Sequence, residues 1–194
     1  MYKRQLEEVG VVFRDDIALE DWRKAGADVR GERVHLDRGL VKSLIKTIPS
    51  EITLHARNPE KTVALGGRQS IFIPMTGAPY LRDLEDVRRS PTLDDLATFH
   101  KLAHMLPAMH SSAHHIVEPM DHPISHRHLR ITHSSMLYSD KTFMGMTTSG
   151  QNAEDVLDMC AILFGEEYPE THAVVTGNCN GNSPLVWDET MLSA

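Results

Sequence analysis

Excess positive charge, paired cysteines and long apolar runs are all missing from this 194-residue chain. Its 20 Lys and Arg against 27 Asp and Glu leave a formal net charge of −7. Nucleic-acid binders carry a basic stripe, so that class is disfavoured. No apolar run approaches the roughly 18 residues of a membrane span. Cys160 and Cys179 have no CxxC spacing and are too few for a disulfide framework, so both read as free thiols. The first residues turn acidic after Arg4 and lack the apolar core of a signal peptide, which gives a cytoplasmic expectation. No GxGxxG, Walker glycine loop or HExxH is found. What remains is an ordinary soluble composition, 41% hydrophobic and 24% charged. It is long enough for one domain with a real core. Histidine (12) and methionine (10) are both well represented.

The chain shows no internal repeat. Residues 1–69 read as a lead-in segment. Leu6, Val9, Val12 and Phe13 fall at helix-like spacing, weakened by Gly10. Leu40, Leu44, Ile45 and Ile48 form a clearer apolar stripe ended by Pro49. ITLHARN and KTVALGG predict two short strands around Asn58-Pro59. Residues 70–194 then alternate. Strands are expected at 70–75, 113–117, 141–146 and 172–176, and helices at 91–106, 126–138 and 152–164, with a further helix starting at Asp188. Thr92 and Asn152 are the expected N-caps and Gly165 a C-terminal stop.

Four successive β-then-α units imply an α/β fold with a parallel sheet and right-handed crossovers. Two architectures fit: an open doubly wound sheet, or part of a TIM-type barrel. Eight units of a barrel take about 250 residues, so 70–194 supplies about half. The chain also stops within its last expected helix, which suggests a truncated domain.

Polar clusters follow the expected strands: Thr76–Pro79, Glu118–Asp121, Thr147–Ser149 and Asn178–Leu185. In parallel α/β folds ligands sit at the C-terminal ends of strands, so these loops should converge. Each loop alone is equally well explained by turn formation. As a set they offer amides, hydroxyls, the carboxylate of Glu118, and Met120, Met144 and Met146. A carboxylate beside methionine or aromatic surface can hold a quaternary ammonium, with Trp187 or Tyr80 offering a π face. Core packing is the alternative for Trp187. The expected substrate-binding residues are His115, Glu118, Met146, Thr147, Asn178, Asn180 and Trp187. No catalytic residue is assigned.

Eight of the histidines lie between His104 and His133. Zinc needs three or four converging ligands. His114 and His115 point to opposite faces of a strand, and His126 and His128 cannot share a helix face. No metal site is expected. His115 and His133 are the expected pocket-facing members.

LEEVGVVF, IFIPMTGAPYLRDL, HHIVEPMD, TFMGMTTS and NCNGNSPLVWDETML occur in that order along essentially the entire chain. Together they resemble the trimethylamine methyltransferase (MttB-type) family. The resemblance implies the barrel rather than the doubly wound sheet, represented by its first half. It implies an enzyme that takes a methyl group from trimethylamine or a quaternary amine such as glycine betaine. The methyl passes to the reduced cobalt of a separate corrinoid protein, so the cobalamin is carried by that partner and none is bound directly here. The family's pyrrolysine position lies beyond residue 194. The alternative is a non-catalytic half-barrel that binds a small ligand or another chain. Four βα units leave two open sheet edges, which invite self-association.

Overall fold

The computed structural model describes residues 4–194. They form two compact units, one holding the chain through Ser50 with residues 148–150 and 179–194, the other residues 51–147 and 151–178. The expected boundary at 69/70 thus falls inside the second unit, which includes the hairpin of the lead-in segment.

In the first unit a π-helical turn, Gln5–Val9, ends at Gly10 (φ 74°), and β1 (Val11–Arg14) begins immediately. The helix-like spacing of Leu6, Val9, Val12 and Phe13 is therefore split between two elements. α1 (Asp16–Lys24) is capped by Asp15, whose carboxylate accepts from the Ala18 amide. β2 (Asp28–Arg30) and β3 (Arg33–His35) pair antiparallel, and α2 (Arg38–Ile45) follows its cap Asp37. β1 lies antiparallel to β3 and parallel to the strand Val186–Asp188. That strand brings Trp187 opposite Phe13. Val11, Phe13, Leu19, Val34 and Leu36 form the buried core, with Trp187, Trp22 and Leu192 packed against it.

The second unit opens with the antiparallel hairpin of β4 (Glu51–Leu54) and β5 (Val63–Gly66), as the sequence predicts. Two very short strands, β6 (Leu81–Arg82) and β7 (Arg88–Arg89), precede α3 (Leu93–Met105). Thr92 caps α3 through a full capping box with Asp95. α4 (Ile124–Tyr138), α5 (Gly150–Phe164) and a single turn, α6 (Tyr168–Thr171), complete the unit. α5 starts at Gly150, so Asn152 lies inside it and not at its cap. Gly165 ends it in a positive-φ conformation, its amide donating to Ala161.

The four expected strands do not form regular ladders. Parallel bridges join consecutive segments instead, two of them outside the expected bounds: Ala78, beyond 70–75, pairs with Val117, Ser111, before 113–117, pairs with Thr142, and Met144 pairs with Thr176. Amides reinforce each contact, Gly77 donating to the His115 carbonyl at 2.8 Å, Ser112 to Thr142 at 2.9 Å and Gly145 to Thr176 at 2.9 Å. Two local features mark the second segment. Ala113 sits at φ 58°, outside extended geometry. The Ser111 hydroxyl takes the Thr142 carbonyl at 2.9 Å. α3, α4 and α5 connect the successive segments. Leu96, Val117 and Ile131 form one core cluster here, and Met136, Phe143, Val156, Cys160 and Val174 another.

Candidate functional site

The second parallel segment ends in the best-ordered polar cluster among the expected residues. His115 is half-buried, and its Nδ1 lies 3.1 Å from Nδ1 of the buried His114. The two rings are 4.1 Å apart at their centroids. Nε2 of His115 lies 3.5 Å from Oε2 of Glu118. The other oxygen of Glu118, Oε1, accepts from Nη1 of Arg127 at 2.7 Å. Arg127 stands in the second turn of α4, and its Nε and Nη2 donate to the His122 carbonyl at 3.2 and 2.8 Å. The arginine thus ties the loop 118–123 to the helix that follows it.

Glu118, an expected substrate-binding carboxylate, is paired within the chain. Its charge is matched by a guanidinium that is itself held on the His122 carbonyl, which is the geometry of a positioned carboxylate. Burial pushes His115 below the ordinary histidine value, partly opposed by Glu118. Burial, then the neighbouring His115 and His100 rings, push His114 down to about 4. Both imidazoles are therefore neutral near pH 7. Behind them, Nε2 of buried His100 donates to the His114 carbonyl at 2.7 Å, so its Nδ1 accepts from the Ser134 hydroxyl at 2.9 Å.

Gly77, at the end of the first segment, has φ 80° and faces the imidazole. A Cβ placed there would lie 3.4 Å from Nε2 of His115. Asp121 is used structurally, its Oδ1 accepting from the Leu93 amide at 3.0 Å at the start of α3.

The remaining expected residues are placed as follows. Met146 packs with the Leu96–Val117–Ile131 cluster and is half-buried, so much of its side chain is core. Thr147 follows it, its Oγ1 buried without a hydrogen-bond partner and close against Gly177. Asn178 is exposed at the end of the fourth segment. Asn180 and Trp187 belong to the first unit. Asn180 is exposed. Trp187 is a packing residue of that unit's core, with Gly181 against its indole. The face of Tyr80 is already covered by the Arg88 guanidinium, 4.0 Å from the ring centroid. His133 is exposed on α4 and borders a cavity of about 370 Å³ lined by Arg57, Met136 and Leu163, away from the segment ends. The structure therefore brings His115 and Glu118 together, while Trp187 packs in the first unit and His133 borders the cavity on α4.

Sequence reasoning missed Arg127 and His114. Arg127 gave a signal of sorts, as a cation in the first turns of the helix that follows the Glu118–Asp121 loop. Among the described residues, no group of three or more His, Cys, Asp or Glu could hold a metal ion. Among the same residues, no helix is long and apolar enough to cross a membrane.

Comparison with known proteins decides the family. A model of the trimethylamine methyltransferase (MTTB) family matches residues 2–194. The chain belongs to this family. It is 43% identical to a glycine betaine methyltransferase of Desulfitobacterium hafniense over 190 residues, 97% of this chain and 40% of that protein. It is 26% identical to a trimethylamine methyltransferase MttB of the same species over 169 residues, covering 84% of this chain and 33% of that protein. A similarity of 29% over 100 residues, 51% of this chain and 20% of the relative, links it to an L-carnitine:corrinoid methyltransferase of Eubacterium limosum. The chain thus spans well under half the length of the curated relatives it matches.

Proposed function

We propose that the protein to which these residues belong transfers a methyl group from a methylated amine to a corrinoid protein. The observation that carries this reading is the 43% identity to a glycine betaine methyltransferase, sustained over 97% of the chain. A quaternary amine of the betaine type is the proposed donor. Its nitrogen leaves as a neutral amine, so the methyl carbon is open to in-line attack without prior activation. The corrinoid, carried by the partner, supplies the nucleophile when bound. This chain's share is to hold and orient the amine and to exclude water.

The described residues suit that share. The second segment's end offers the half-buried imidazole of His115, backed by His114, with the charge of Glu118 balanced by Arg127. The fold reading proposed with it is the first half of a TIM-type barrel. The four parallel segments neighbour one another in chain order, which supports a barrel, since a doubly wound sheet reverses its order at a switch point. Residues 70–194 are the proposed barrel portion. Cytoplasmic location goes with a corrinoid partner and is part of the same proposal.

The test is methyl transfer by the full-length gene product. Reduced cobalamin is mixed with glycine betaine, L-carnitine or trimethylamine, and methylcobalamin formation is followed by absorbance. A rise with a quaternary amine is expected, and no transfer from any methylated amine would sink the reading.

A second reading, association through an open sheet edge, is favoured by one observation. Phe72, Ile73 and Met75, on the first segment, are 60%, 44% and 79% exposed. The 194-residue chain alone should then elute as a dimer or larger species at high concentration. A monomer at every concentration tested rules this out.

A further inference from the structure

The geometry points to Glu118 and Arg127 as a positioning pair that fixes the imidazole of His115 as its Nε2–H tautomer. Two assignments satisfy the 3.1 Å contact between the Nδ1 atoms of His114 and His115, and only one of them suits what lies on the far side of the ring. If His115 donated from Nδ1, its Nε2 would carry a bare lone pair 3.5 Å from a carboxylate oxygen. If His114 donates instead, Nε2 of His115 carries the proton and faces Oε2 of Glu118. The attraction in the second case and the repulsion in the first select the second.

Arg127 makes the selection possible. By taking Oε1 of Glu118 at 2.7 Å it leaves Oε2 to His115, and its two bonds to the His122 carbonyl fix the guanidinium itself. The carboxylate is 24% exposed and the arginine 14%, so neither is free to swing in solvent. The other neighbours of the ring agree. Gly77 brings no side chain to Nε2, and its amide is used on the His115 carbonyl. His100 is committed to Ser134 and to the backbone of His114, so it competes for neither imidazole nitrogen of His115.

Glu118 is therefore a positioning residue. Its role at the amine site rests on the methyl-transfer reading above, and there it offers no unpaired carboxylate to an ammonium group. The tautomer is read without any methyl transfer, so either idea can fail alone.

The experiment is long-range ¹⁵N–¹H correlation spectroscopy of the histidine rings in the 194-residue chain near pH 7, with the His115 signals identified by their loss in His115→Gln. A protonated, pyrrole-type Nε2 and a pyridine-type Nδ1 are expected for His115. In Arg127→Gln and in Glu118→Ala both nitrogens should shift toward values averaged over the two tautomers, with the His100 signals unmoved as the mark of an intact fold. A pyridine-type Nε2 in the unaltered chain overturns the proposal. So does an unchanged His115 pattern in both variants.

Discussion

The ammonium of Lys141 donates to the Ala103 carbonyl at 2.8 Å, in the last turn of α3. The same nitrogen holds the Leu106 and Met109 carbonyls at 2.8 and 2.7 Å. A buried cation here does the work of a helix C-cap, satisfying carbonyls that have no partner within the helix. Lys141→Met keeps the apolar stem and removes all three donors. The expected loss is at least about 1.5–3 kcal/mol, the contribution of one charge-assisted hydrogen bond. Urea unfolding measures it, and an unchanged midpoint would show that water replaces the ammonium without cost.

Stability should rise with pH through the mildly acidic range. Burial pushes His100 and His114 down to about 4, against 6.5 for an ordinary histidine. Between those values the unfolded chain binds protons that the folded chain does not, so folding weakens as pH falls from about 6.5 toward 4. Urea midpoints across this window should climb with pH. The slope should be shallower in His100→Gln, and an equal slope in that variant would remove His100 from the account.

Thr92→Ala removes the hydroxyl half of the capping box and should cost about 1 kcal/mol. Asp95 completes the box and also receives Arg89 at 2.6 and 2.7 Å. Arg89, then the Thr92 contacts, hold the Asp95 carboxyl well below the usual carboxylate range. Because its folded value is depressed, this contribution is present above about pH 4 and disappears as pH falls through the folded value. Exchange protection of the first amides of α3 in strong acid, compared between Thr92→Ala and the unaltered chain, reports it directly.

Gly77→Ala should disturb the segment ends twice over. An alanine at φ 80° costs about 1–2 kcal/mol in backbone strain. Its methyl would also come into van der Waals contact with Nε2 of His115, 3.4 Å away. Shifted His115 ring resonances together with a lower melting temperature are the expected signature. A melting change without the ring shift would mean that the imidazole simply moves aside.

What the chain reveals in advance is what neighbouring residues decide among themselves. The N-cap at Thr92, the stop at Gly165 and the β4–β5 hairpin were all legible, because each depends on residues a few positions apart. The turn at Gly10 was not. Val12 there donates to the Leu185 carbonyl, a partner with no local trace in the sequence. Trp187 was ambiguous for the same reason, since only its pairing with Phe13 makes it core. Periodicity found the helices between the parallel segments. It could not foresee that the segments themselves would meet only in single bridges. At the candidate site the carboxylate of Glu118 was visible, but its neutralisation by Arg127 depends on how α4 is entered.

The parallel pairing of β1 with the strand Val186–Asp188 also sets an order of events on the ribosome. β1 is synthesised before its neighbour, which emerges only after more than 170 further residues have been added. Contacts so distant in sequence form slowly, and one edge of β1 stays without its partner until Val186–Asp188 emerges. The second unit, whose chain lies between the two strands, can complete its helices first. A nascent chain halted short of Val186 would then carry a protease-sensitive sheet beside helices that already resist cleavage.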